Sequence, residues 1–132
     1  WKILQQEKPD DFVIATGRME TVRKFVEMSA KKLGWNGKDN ESAIIWEGSG
    51  LTEIGRRSDT KEIVVRIDQR YYRPSEVEQL LGCPKKAQKK LGWEPKSTLE
   101  ELISEMIEQD QKEALKESIL KKQGFQISTS IE

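Results

Sequence analysis

Apolar residues fall in short groups along the chain, and their spacing predicts several helices and a few short strands. WKILQQ, at residues 1–6, reads as mid-helix, with Trp1, Ile3 and Leu4 apolar and no capping residue before them. DFVIATG (11–17) is a nearly continuous apolar run closed by glycine, the pattern of a strand buried on both faces. Thr21 stands at an N-cap position, and Val22, Phe25, Val26, Ala30 and Leu33 follow at helical spacing until Gly34 stops them. AIIWEG (43–48) reads as a strand, LTEIGRRSDTKE as a polar connection, and EIVVRID (62–68) as a strand with Ile63, Val65 and Ile67 on one face.

Beyond that point the pattern is helical. Pro74 and Ser75 open a short helix carrying Val77, Leu80 and Leu81, stopped by Gly82. Pro84, at a first helical position, opens another with Ala87 and Leu91 inward and Gly92 at its end. Ser97 and Glu100, in S-T-L-E, read as a capping box for the longest helix. Its apolar stripe is Leu99, Leu102, Ile103, Met106 and Ile107, through about residue 110; the polar stretch after it is expected to fray.

Composition narrows the classes of function. The 132 residues make one domain at most, large enough to bury about two-thirds of the unfolded surface. Basic and acidic residues balance at 23 each, so the charge makes no case for nucleic acid or a membrane surface as partner. The sequence shows no signal peptide and no apolar run of membrane-spanning length. The single cysteine, Cys83, cannot form an intrachain disulfide, which fits a reducing cytoplasm, and reads as a small packing residue. With no histidine and one cysteine, histidine triads, histidine metal sites and thiolate zinc sites are excluded. The first residue is Trp1, and an uncapped start on tryptophan reads as a chain cut from something longer.

The candidate chemistry is concentrated in QRYYRPSEVEQLLG, residues 69–82. Arg73 and Glu76 are three apart at the mouth of a predicted helix, so both side chains can reach one ligand. An arginine fork suits a diphosphate, and a carboxylate accepts from ribose hydroxyls. Spacing alone leaves an ordinary surface ion pair open as well, worth under about 1 kcal/mol. Dinucleotide-binding and proton-transfer motifs are missing: Gly48, Gly50 and Gly55 have the wrong spacing for G-x-G-x-x-G, and no Y-x-x-x-K pair occurs. KLGW (90–93) is explained by packing of Leu91 and Trp93 around a left-handed Gly92.

Taken in order, VIATG, TVRKFVE, WEG, IDQRYYRPSEVEQLLG, KAQKKLGWEP and TLEELISEMI resemble the C-terminal part of the GDP-mannose 4,6-dehydratases. These are extended short-chain dehydrogenase/reductases of the NAD(P)-binding Rossmann type. The resemblance runs from Trp1 to about Gly124. KAQKKLGWEP with TLEEL marks the wider superfamily of nucleotide-sugar enzymes, while WEG with RYYRPSEVEQLLG points to the dehydratases. Gln69 departs from the pattern, because the family usually has proline after the aspartate; a turn should change there and the ligand should not.

The resemblance implies an α/β fold class: the helix-rich, C-terminal substrate-binding lobe of such an enzyme, with the N-terminal Rossmann portion absent from residues 1–132. Residues 18–93 would form the lobe that grips the GDP-sugar, while 1–17 and 97–124 would pack on the missing cofactor domain. It also implies the reaction: NADP-dependent oxidation of GDP-mannose at C4, loss of water across C5–C6 and hydride return to C6. The product is GDP-4-keto-6-deoxymannose, a precursor of GDP-fucose and related deoxysugars. Carried over, Arg73 matches the arginine on the diphosphate and Glu76 the acid on the ribose. For Tyr72, lining the pocket and ordinary packing both stay open. Arg23 matches a family arginine for which a ligand contact and a helix-surface or intersubunit ion pair both stay open. No catalytic, cofactor-binding or metal-binding residue is expected in this chain, and the complete enzyme is expected to be a cytoplasmic homodimer or homotetramer. Two other readings remain: a reductase or epimerase of the same superfamily, and a non-catalytic module that binds a nucleotide sugar or a partner protein.

Overall fold

The computed structural model describes residues 1–37, 42–73 and 80–125. Among them, three strands form one antiparallel sheet in the order β1 (Ile44–Glu47), β2 (Ile54–Arg57), β3 (Ile63–Arg66). Three α-helices accompany it: α1 (Val22–Lys32), α2 (Lys85–Leu91) and α3 (Leu99–Lys122). Ile44 pairs with Arg57 and Glu47 with Ile54, while β2 meets β3 through Ile54–Arg66 and Gly55–Val65. The β2–β3 register shifts between Gly55 and Arg56, a bulge that adds local twist.

Helix α1 begins where its cap predicts, with the Thr21 side chain accepting from the Lys24 N–H at 3.1 Å. Gly34 follows its end at φ +77°, the left-handed conformation that glycine adopts without penalty. The sheet-side core is Ala30 of α1 with Ala43 and Ile44, covered by Val26, Trp35 and Trp46. On its other side α1 packs on α3.

The middle strand is a correction to the sequence reading, which makes residues 51–62 a polar connection. A strand of Ile-Gly-Arg-Arg has too little apolar surface to be recognised, but its arginines are used locally. Arg56 pairs with Glu47 across the ladder at 3.0 Å. Arg57 pairs with Asp59 at 2.7 Å and lies 4.5 Å from the centroid of the Trp35 ring. Gly55 is required by packing, since a Cβ there would stand 3.0 Å from Val65, 3.1 Å from Trp46 and 3.2 Å from Ile44.

The apolar run 11–17 is the second correction: it is not a strand. Strand assignment needs a ladder partner, and this segment is held instead by side-chain contacts to residues 82–90. Asp10 receives both Lys86 and Lys90, the Lys86 ammonium lies 5.3 Å from the Phe12 ring centroid, and a Cβ on Gly82 would fall 2.6 Å from that of Ala15. Val13 and Ile14 are each 53% exposed within this chain. The two lysines hold the Asp10 carboxyl well below the usual carboxylate range. This anchor is therefore intact at neutral pH and lost only as acid protonates Asp10.

Smaller differences concern element ends. WKILQQ forms a 3₁₀ turn over Lys2–Gln5, not an α-helix. Pro84 is the N-cap of α2, one position before its expected place. The α3 capping box is Thr98 with Glu101, not Ser97 with Glu100: the Thr98 hydroxyl accepts from the Glu101 N–H at 3.2 Å and Glu101 accepts from the Thr98 N–H at 2.9 Å. S-T-L-E and T-L-E-E both satisfy the capping pattern, and the second is used. Ile103 is 2% exposed, whereas Leu102 and Met106 are 46% and 44% exposed. Past residue 110 the helix continues to Lys122, its charges pairing along the helix as Glu113–Lys116 and Glu117–Lys121. The helix expected over 74–81 lies mostly outside the described residues; Leu80 and Leu81 are irregular and exposed.

The tight cover over Gly55 gives a stability prediction. Gly55→Val should destabilise the fold by about 1–3 kcal/mol through overpacking. Urea unfolding should show a lower midpoint with an unchanged slope.

Candidate functional site

The segment that carries the sequence motif leaves the sheet at the end of β3. Asp68 caps a 3₁₀ turn over Gln69–Tyr71, its carboxylate accepting from the Arg70 N–H at 2.9 Å. The Tyr71 N–H then donates to the Asp68 carbonyl at 3.0 Å, and the Tyr72 N–H to the Gln69 carbonyl at 3.2 Å. The same carboxylate takes the Arg70 side chain in a fork, with Nε at 3.0 Å and Nη2 at 2.6 Å from Oδ2. These bonds hold the Asp68 carboxyl below its ordinary pKa, the Arg70 side chain first and the Arg70 N–H next. Hence the clasp is complete at neutral pH and opens only in acid. Gln69, the departure from the family pattern, is the first residue of this turn, a position that suits proline.

Arg73 follows directly, behind Tyr71 and Tyr72, which are 75% and 57% exposed. Glu76 and the helix mouth lie outside the described residues, so the geometry of the Arg73–Glu76 pair is not described.

Arg23 sits elsewhere, on the face of α1 turned to the sheet. Its Nη2 lies 2.6 Å from Glu53 Oε1, and its guanidinium is 4.2 Å from the centroid of the Trp46 ring. One turn along, Glu27 accepts from the Trp46 indole N–H at 2.8 Å. Arg23 and Glu27 therefore clamp α1 to β1, and Arg23 also reaches the residue before β2. Cys83, expected as a packing residue, is exposed.

A cleft of about 530 Å³ opens between residues 16–20 and the start of α3. Its wall combines Trp93, Leu99 and Leu102 with Arg18 and Lys96. The acids Glu20, Glu94 and Glu100 offset those cations, which leaves no field that favours an anion. Nor do the described residues cradle a dinucleotide. Gly48 at φ +81° closes a turn on the Thr52 carbonyl, and Gly50 starts a three-residue 3₁₀ turn into β2. Neither precedes a helix whose N-terminus could take a pyrophosphate. Among the described residues no group of three or more acids, histidines or cysteines could hold a metal ion, and no helix is long and apolar enough to cross a membrane.

Asp68 and Arg70 are the residues that sequence reasoning passed over. The available signal was an aspartate at a strand end two residues before an arginine, the pattern of a side chain that caps a turn.

A small three-stranded antiparallel sheet flanked by helices, with a basic and aromatic turn leaving its last strand, is consistent with part of a short-chain dehydrogenase/reductase-type enzyme. The family model described as GDP-mannose 4,6 dehydratase matches residues 1–106, and the chain belongs to that family. Its whole length aligns at 44% identity with GDP-mannose 4,6-dehydratase of Yersinia enterocolitica, covering 36% of that protein. GDP-mannose 4,6 dehydratase 2 of Caenorhabditis elegans is 47% identical over 83% of the chain, which covers 27% of it. The human GDP-mannose 4,6 dehydratase is 43% identical over 83% of the chain, covering 28% of it. The chain thus spans between about a quarter and just over a third of the length of these curated relatives.

The α1–β1 clamp generates a second stability prediction. Arg23→Ala removes a partly exposed ion pair and a stacked guanidinium, and should lower stability by about 1–2 kcal/mol. Equilibrium unfolding followed by tryptophan fluorescence reads this directly.

Proposed function

We propose that residues 1–132 form the substrate-binding part of a GDP-mannose 4,6-dehydratase. The complete protein converts GDP-mannose to GDP-4-keto-6-deoxymannose, feeding GDP-fucose and related deoxysugars. In this reading Arg73 contacts the diphosphate of GDP-mannose and Glu76 its ribose. Tyr72 stands beside Arg73 as a wall of the pocket, and Arg23 serves the same lobe from within, through its clamp on Trp46. The nucleotide lobe spans 18–93. Residues 1–17 and 97–124 pack on a cofactor-binding portion outside this chain, which accounts for the exposure of Val13, Ile14, Leu102 and Met106. The cofactor is NADP, the complete protein is a cytoplasmic homodimer or homotetramer, and neither nucleic acid nor membrane is a partner.

The observation that carries this reading is the family match over residues 1–106, which includes the whole RYYRPSE segment. Its support in the fold is the braced turn over Gln69–Tyr71 after β3, which carries the exposed Tyr71 and Tyr72 and leads directly to Arg73. No catalytic group is assigned to this chain, whose part is to hold and orient the nucleotide end of the substrate.

Two measurements test the reading. In the full-length protein, Arg73→Ala should weaken GDP binding by roughly 1.5–3 kcal/mol, the range for a hydrogen bond to a charged group, and leave NADP affinity unchanged. Glu76→Gln keeps the shape and one acceptor and should cost less. The 132-residue chain alone, incubated with GDP-mannose and NADP, should yield no 4-keto product. An Arg73→Ala variant that binds GDP as tightly as wild type, or turnover by the chain alone, would refute the assignment.

A further inference from the structure

Arg73 can select a diphosphate only if its backbone is held in place, and the local structure shows one residue at the root of that hold. Asp68 is the pivot between β3 and the turn. Its carbonyl accepts from Tyr71, and its carboxylate accepts from the Arg70 N–H and from both Arg70 Nε and Nη2. All of these bonds lie within the five residues before Arg73. They are also on the surface, where Asp68 is 41% and Arg70 79% exposed, so the turn contributes little to the buried core. An exposed ion pair of this kind adds little to global stability; its effect is to restrict the conformations open to the segment. Arg70, although exposed, has its fork engaged by Asp68 and its guanidinium 5.6 Å from the Tyr71 ring centroid.

We propose that Asp68 is a positioning residue for Arg73, bracing the turn through Arg70 so that Arg73 meets the substrate diphosphate in a set orientation. This rests on the assignment of Arg73 to the diphosphate. Asp68 touches no substrate in this scheme; it lowers the conformational freedom that Arg73 would otherwise lose on binding.

The test is a double-mutant cycle on the full-length protein, titrated with GDP. Asp68→Ala should weaken GDP binding about 5–10-fold, because the backbone that carries Arg73 must then be ordered on binding. Arg70→Gln, which keeps the Asp68 backbone cap and loses the fork, should weaken it about 2–3-fold. The double variant Asp68→Ala/Arg73→Ala should bind no more weakly than Arg73→Ala alone, because Asp68 acts through Arg73. NADP affinity and melting temperature should stay at wild-type values in both Asp68→Ala and Arg70→Gln. A merely structural role would lower the melting temperature, or would make the GDP losses add in the double variant. Either result overturns the proposal, as does wild-type GDP affinity in Asp68→Ala. If Arg73→Ala weakens GDP binding while the cycle is additive, only the positioning role fails. If Arg73→Ala binds normally, the diphosphate assignment fails and this proposal falls with it.

Discussion

Trp46 is the contact on which the rest of the structure depends. Its indole N–H is fixed by Glu27, its face carries Arg23, and its ring edge closes over Gly55. One side chain on β1 thereby sets the distance of α1 from the sheet and forbids a side chain in the middle of β2. A sheet of three four-residue strands is marginal by itself, and the clamp from α1 supplies the cover that makes it persist. The two glutamates of the clamp come from different elements, Glu27 from α1 and Glu53 from the approach to β2. Sliding any one element would break bonds to the other two.

That rigidity is passed to the turn after β3. Because β3 is registered on β2 through Gly55–Val65 and Ile54–Arg66, its end is a fixed point, and the Asp68 turn starts there. The order of dependence runs from core packing, to strand register, to a capped turn, to Arg73. Each step relies on a different force: apolar burial and cation–π contact in the clamp, backbone ladders in the sheet, charge-assisted hydrogen bonds in the turn. Gln69 is the first residue of that turn, a position that also suits proline.

Much of this was legible in the chain itself. Helix α1, with a threonine cap, periodic apolar residues and a terminal glycine, had each signal agreeing with the next. Strands β1 and β3 were legible from β-branched runs. Strand β2 was hidden because its inward position is a glycine and its arginines are partly buried through an ion pair to Glu47 and stacking on Trp35, contacts that no apolar pattern marks. The run at 11–17 misled for the opposite reason: it has the composition of a buried strand, yet the described residues offer it lysines and a proline-led helix and no ladder. At the site, the motif around Arg73 was visible only as a family pattern, since the i,i+3 spacing fits an ordinary ion pair equally well. The Asp68–Arg70 clasp escaped because an i,i+2 pair has neither helical nor strand periodicity; it exists only in the tight geometry of a 3₁₀ turn.

Helix α3 is two structures in one continuous rod. Its first turns are tied down by a reciprocal cap and by Ile103 against the body of the protein. Its later turns run outward with exposed Leu115 and Ile119, held by bridges from one rung of the helix to the next. At 1.5 Å per residue the rod is about 36 Å long. Such a spar amplifies small rotations: a tilt of about 5° at its anchored base moves its tip by about 3 Å. A spectroscopic label on the outer turns would therefore work as a pointer, reporting slight repacking at the α1–α3 contact as a large displacement in solvent.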